Sequence, residues 1–256
     1  MHRVIDLNCD MGESYGRWTL GDDEAIMPFI SSANIACGYH GGDPHVMRKT
    51  VALARKHGVA IGAHPGLPDM MGFGRRAMDV APEELKDYIR YQVGALREFV
   101  RVNGDDLQHV KPHGILYHMA EDSPAIARAI GEAVLESGKS LILMTLASGK
   151  YDAHCRKMGC RVAAEGFADR AYNADGTLVS RKLPGSLITD PESAAAQAVR
   201  IATEGTVKTI DGVEINLSVQ TLCCHGDTPG AERIVKAVRE GLEKAGIQVK
   251  PLREWL

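Results

Sequence analysis

Short apolar runs alternating with helical periodicity constrain this chain more than any other feature. The runs fall at residues 4–7, 33–37, 59–63, 109–111, 141–146, 161–164 and 219–224. Taken singly such runs are ambiguous, but in alternation with helices they read as parallel strands. The helical segments are clearer. Leu85, Tyr88, Ile89, Gln92, Val93, Leu96, Phe99 and Val100 hold a 3.6-residue spacing, as do Ile126, Ala129, Ile130, Ala133 and Val134, and Ile234, Val235, Val238 and Leu242. Each of these faces would cover one side of a sheet.

Helix punctuation repeats the same rhythm. Asp43-Pro44, Ser123-Pro124, Asp190-Pro191 and Thr228-Pro229 each put a capping side chain before a proline, whose missing N–H costs nothing at the first helical position. Gly58, Gly138 and Gly246 stand where C-caps would fall. No long polar linker separates the repeated strand–loop–helix units. They predict one (β/α) barrel, TIM-like, or a closely related wound sheet over residues 1–256 rather than two domains. Asp211-Gly212 separates two β-rich stretches and predicts a hairpin excursion near 207–217, before the last strand. Asp175-Gly176 reads as another turn.

Composition excludes several classes. Over 256 residues, 30 Lys+Arg face 33 Asp+Glu with no basic run, which argues against nucleic-acid binding. No window has the apolar length of a membrane span, and Asp6, Asp10 and Glu13 interrupt the place of a signal peptide, so a soluble, cytoplasmic protein is expected. The six cysteines lack paired Cys-x-x-Cys spacing, which fits free thiols in a reducing compartment.

Polar residues gather at the C-terminal ends of the candidate strands, which in a parallel barrel share the face where active sites are built. The first strand ends Asp6-Leu-Asn8-Cys-Asp10-Met-Gly-Glu13, and alternation sends Asp6, Asn8 and Asp10 to one side. The second leads into Asn34, His40, Asp43 and His45; Asp43 is accounted for as a helix cap. The third ends at His64 and is followed by Asp69 and the glycine-bearing loop with Arg75 and Arg76, a pair suited to carboxylate or phosphate. The fourth ends Lys111-Pro-His113-Gly-Ile-Leu-Tyr117-His118, and a lysine inside a barrel must meet Asp6, Asp10 or a bound anion. Glu165, Asp169 and Arg170 follow the sixth run, and His225 and Asp227 the seventh. Loop-capping networks would account for two or three such ends; six converging ends predict a catalytic face. Gly138-Lys139-Ser140 mimics the end of a phosphate loop, but Ala133 stands where its first glycine belongs. No zinc-finger spacing and no His-Glu-x-x-His occurs, so any metal would be held by Asp and His from separate strands.

These segments, DLNCDMGESYG (6–16), SANIACGYHGGDP (32–44), GAHPGLPDMMGFGRR (62–76), VKPHGILYH (110–118), EGFADRAY (165–172) and CCHGDTPGA (223–231), closely resemble the LamB/YcsF family from end to end. Tyr39 and Gly41 depart from the Phe and Ala often found there. The resemblance implies a seven-stranded (β/α) barrel similar to the glycoside hydrolase and metal-dependent carbohydrate deacetylase folds. It also implies ATP-dependent opening of 5-oxo-L-proline to L-glutamate, carried out with separate B and C subunits.

The residues suit that chemistry. A lactam is a poor electrophile because nitrogen donates into the carbonyl. Phosphorylating the carbonyl oxygen would create a leaving group, after which water needs a general base and the departing atoms need stabilisation and a proton. Asp10, or else Asp6, is the expected base, with His64 and His225 moving protons or binding metal. Lys111, Arg75 and Arg76 would hold the substrate carboxylate or a phosphate. Asn8, Glu13, Asn34, His40, His113, Glu165, Asp169 and Asp227 complete the expected substrate-binding set. Two other classes are a stand-alone divalent-metal amidohydrolase or deacetylase using Asp10, His40 and His64, and a non-catalytic substrate-binding subunit.

Overall fold

The apolar runs pair as a closed parallel ring. The computed structural model describes residues 4–147 and 149–256, so the first three residues of the expected barrel lie outside the described residues. Strands β1 (Val4–Met11), β2 (Ser32–Ala36), β3 (Ala60–His64), β4 (His109–Val110), β5 (Ile142–Leu146) and β6 (Arg161–Phe167) pair in sequence order. Between β6 and the last barrel strand, β7 (Thr206–Lys208) and β8 (Glu214–Asn216) form a separate antiparallel ladder turned at Gly212, whose φ is +81°. Then β9 (Thr221–Cys223) pairs with both β6 and β1 and closes a barrel of seven parallel strands. A short β10 (Gln248–Val249) extends the start of β1.

Helices form the outer layer: α1 (Asp23–Ile26), α2 (Pro44–His57), α3 (Pro82–Arg101), α4 (Ile115–Asp122), α5 (Pro124–Ser137), α6 (Lys150–Lys157), α7 (Pro191–Glu204) and α8 (Ala231–Lys244). Asp43, Ser123 and Asp190 cap α2, α5 and α7 through side-chain oxygens. Thr228 does not cap α8. That helix starts later, at Ala231, after Gly230 in the left-handed region, and Thr228 contributes only its carbonyl oxygen to the Ala231 N–H at 3.0 Å. No helix among the described residues is long and apolar enough to cross a membrane.

Alternation along β1 divides its side chains between two environments. Ile5, Leu7, Cys9 and Met11 enter the apolar core, while Asp6, Asn8 and Asp10 belong to a polar interior. At its base Asp6 accepts from the hydroxyls of Ser31, Ser32 and Thr221. Above it, the Asn8 amide donates to Thr221 and Glu165, and Asn34 donates to Asn8 and Asp10. Gly62 makes this layer possible, since a Cβ there would lie 2.1 Å from the His109 ring. His109 uses that space to donate from Nε2 to Asn34 at 2.6 Å; burial pushes its pKa down to about 3, so it serves as a neutral linker.

Candidate functional site

A cavity of 600 Å³ opens at the C-terminal ends of the strands, lined from the loops after β1, β3, β4, β6 and β9. Its floor is an ion-pair chain. The Lys111 ammonium, fully inside the barrel mouth, lies 3.0 Å from Asp10 and 2.9 Å from Glu165. Burial works against its charge, but the Asp10 and Glu165 carboxylates outweigh that and hold Lys111 well above its ordinary pKa. Asp10 also accepts from Asn34 at 2.8 Å and stands 3.4 Å from His64 Nε2. Burial pushes its carboxyl up, yet the neighbouring His64 ring and the Lys111 ammonium win and keep it well below the usual carboxylate range.

Next to the floor, with a ring nitrogen within 4.8 Å of an Asp10 oxygen, His225 carries a fixed orientation. Its ring stacks on Phe167, 5.6 Å between centroids. Its Nδ1 lies 2.9 Å from Asp169, which also accepts from the His225 backbone N–H. That contact places the ring hydrogen on Nδ1 and leaves Nε2, without a hydrogen bond among the described residues, beside the cavity. Asp169, buried and fully used, holds its carboxyl below the ordinary range because the His225 interactions outweigh burial.

The rim is basic. Arg75 lies over the Phe73 ring at 4.9 Å and reaches Asp227 at 2.8 Å; Arg181 reaches the same Asp227 oxygen at 3.2 Å. Arg181 and Lys182 come from the segment between β6 and α7, which doubles back in a Tyr172–Leu178 bridge. Arg170 ties that segment down through the carbonyls of Val179 and Ser186.

A fourth group lies beside the floor. His40 stacks on His113, 3.5 Å between centroids and 2° between planes, and both meet the His64 ring edge-on. With Glu13 they place one ligand-type atom each within 4.8 Å of one another. Burial, with Asp10 and Asp227 near, pushes the Glu13 carboxyl well up; burial, with the neighbouring imidazoles, pushes His40 well down.

Of the residues singled out in the sequence, the structure brings Asp10, Glu13, His64, Arg75, Lys111, His113, His225 and Asp227 onto the cavity wall. Asp6 does not reach it: Asn8 and Thr221 lie above, and its oxygens are taken by three hydroxyls. Glu165 is the buried counter-ion of Lys111 and accepts from Tyr117 as well, while Asn8 and Asn34 are spacers in the same network, so none of the three lines the cavity. Arg76 turns outward and pairs with Asp69. Asp169 positions His225 instead of facing a ligand. For metal, His40 and His64 come together with Glu13 and His113, while Asp10, 3.4 Å from His64, groups with Cys223 and His225. His45 is exposed on α2. Tyr117, His118, Phe167, Arg170, Arg181 and Lys182 also line the cavity. The strand-end motifs already display the first four; Arg181-Lys182 stands fourteen residues beyond the end of β6, and only its paired positive charge marks it.

The pattern that defines the LamB/YcsF family matches residues 5–256. The chain is 51% identical over 252 residues to the A subunit of the 5-oxoprolinase of Pyrococcus furiosus, covering 98% of this chain and 99% of that protein. It is 51% identical over 250 residues to the corresponding 5-oxoprolinase component of Bordetella pertussis, covering 98% and 99%. The crystal structure of the lactam utilization protein from Thermus thermophilus superposes with a TM-score of 0.93 at 48% identity, covering 96% of this chain and 99% of that one.

Proposed function

The chain belongs to the LamB/YcsF family, and from that premise we propose that it opens 5-oxo-L-proline hydrolytically to L-glutamate as the A component of an ATP-dependent, cytoplasmic 5-oxoprolinase with B and C subunits. The relatives' names supply the substrate and the notion of a multi-component enzyme; six buried free thiols suit the compartment. The observation that carries the reading is the placement of Asp10, ion-paired with Lys111 on the floor, with a carboxylate oxygen within 4.8 Å of a ring nitrogen of the Asp169-oriented His225.

The roles follow from this placement. Asp10 is the base that orients and deprotonates water, kept ionised by Lys111 and next to His64. Lys111 gives the floor a fixed positive charge toward developing oxyanion charge. His225, with its free Nε2 toward the cavity, takes up the proton that Asp10 removes from water and returns it to the departing lactam nitrogen. Arg75 and Arg181, sharing one Asp227 oxygen, keep net positive charge for the substrate carboxylate. A cavity of 600 Å³ is far larger than one small lactam, which leaves room for the phosphate of a co-substrate.

Two measurements test the reading. Glutamate release from 5-oxoproline, with and without ATP and each co-purifying partner, should require all components, and the isolated chain should release little. Robust turnover by the chain alone, without ATP, would overturn the multi-component reading. In the assembled enzyme, Asp10→Asn should lower kcat by about 100-fold or more, the scale of a lost general base. Activity within a few-fold of wild type would remove Asp10 from that role.

A further inference from the structure

We infer that Glu13, His40, His64 and His113 form a binding site for one divalent first-row transition-metal ion. The argument begins with where the ring hydrogens must be. His64 Nδ1 lies 2.7 Å from the carbonyl oxygen of Lys111, and His113 Nε2 lies 2.8 Å from that of Phe73. A carbonyl only accepts, so each of those nitrogens carries the hydrogen. On neutral rings the remaining nitrogens, His64 Nε2 and His113 Nδ1, therefore present lone pairs, and these face each other at 3.0 Å. Two lone pairs at that distance repel unless a positive centre lies between or beside them.

The surroundings present more electron pairs. Glu13 Oε1 is 3.6 Å from the same His113 Nδ1 and 3.4 Å from His40 Nε2. Glu13 Oε1 and both His40 nitrogens are buried without a hydrogen-bond partner among the described residues. A proton on His64 Nε2 would answer His113 and Asp10 but leave Glu13 and His40 unanswered. One cation answers all four once the His40 ring tilts out of its stack on His113, because in-plane lone pairs on parallel rings cannot meet at one ion. Atoms about 2.0–2.1 Å from a tetrahedral zinc are roughly 3.4 Å apart, and the separations of 3.0, 3.4 and 3.6 Å bracket that spacing. Three imidazoles and a carboxylate suit zinc, cobalt, manganese or nickel, whereas calcium and magnesium prefer oxygen sets. The Lys111 and Phe73 carbonyls supply the outer hydrogen bonds that fix ligand imidazoles. Glu13, His64 and His113 also line the cavity, so a bound ion would border it.

The test reads binding rather than turnover, so it stands apart from the ring-opening proposal. Purified full-length chain is stripped with chelator, reloaded with zinc or cobalt(II), dialysed, and assayed for metal content and for the visible absorption of low-coordinate cobalt. About one ion per chain is expected. His40→Gln and His113→Gln should each weaken cobalt binding roughly tenfold or more, while His45→Ala, on the exposed face of α2, should bind as wild type. The wild-type measurement stands even where a variant folds poorly. Failure of the wild-type chain to retain stoichiometric zinc or cobalt overturns the site. So does binding that neither glutamine variant changes, or a downfield N–H resonance between His64 and His113 that persists when metal is added.

Discussion

Asp6 lies at the base of the barrel under the hydroxyls of Ser31, Ser32 and Thr221, with no salt bridge among the described residues. Burial dominates its ionisation: its pKa rises from 3.8 to about 6, although all three hydroxyls favour the charged form. The fold thus prefers the neutral acid. Its contribution is fully present below 3.8, the unfolded value, and is lost as pH climbs through about 6, a change of roughly 3 kcal/mol. Asp6→Asn removes that titration and keeps an amide that can donate to Thr221. Urea unfolding of both proteins from pH 4 to 7 should show the wild type losing about 2 kcal/mol relative to the variant; parallel profiles would show that Asp6 is ionised throughout. In sequence Asp6 and Asp10 look alike, both inward-facing carboxylates of β1. What separates them is Lys111, whose pairing with Asp10 spans 101 residues and has no local signature.

The start of α2 shows a cap serving more than its own helix. Asp43 Oδ1 accepts from the His45 and Val46 N–H groups at 2.7 and 3.0 Å, while Oδ2 accepts from the Gly16 N–H at 2.7 Å. Together with the Gly42 N–H bond to the Ser14 carbonyl, this ties the loop after β1, which holds Glu13, to the turn that presents His40. Asp43→Ala should cost about 2 kcal/mol, at the upper end for a lost cap, and should speed amide exchange at Gly16. Asp43→Asn, which can keep the helix-side bonds, should recover most of the stability. An alanine variant with unchanged unfolding midpoint and unchanged exchange would show the tie to be incidental. The Asp-Pro pattern announced this helix start from local chemistry alone. The same pattern at Thr228-Pro229 did not set the start of α8, because Gly230 turns the chain first while Asp227 reaches across to the arginines of two other loops.

The barrel was legible because parallel strands and their helices repeat a pattern that each unit carries in its own residues, and because polar strand ends share one face in that architecture. Facing that end is different from facing the cavity. Glu165 and Asp169 both follow β6, yet one balances Lys111 and the other orients His225, partners set by ring closure between β6, β9 and β1. Arg181 was hidden for the converse reason. It leaves the strand end and returns only because Arg170 and the Tyr172–Leu178 bridge fold its segment back over the opening. Its proposed task follows from that geometry: with Arg75 it shares a single Asp227 oxygen, so the rim keeps positive charge that a substrate carboxylate can take up. Such an interaction is made equally in the ground and transition states. Arg181→Ala in the assembled enzyme should therefore raise the KM for 5-oxoproline roughly 10- to 100-fold, the worth of one charged hydrogen bond, while kcat changes little. A fall in kcat at unchanged KM would instead place Arg181 on charge that develops during the reaction, and the carboxylate would have to be held by Arg75 alone.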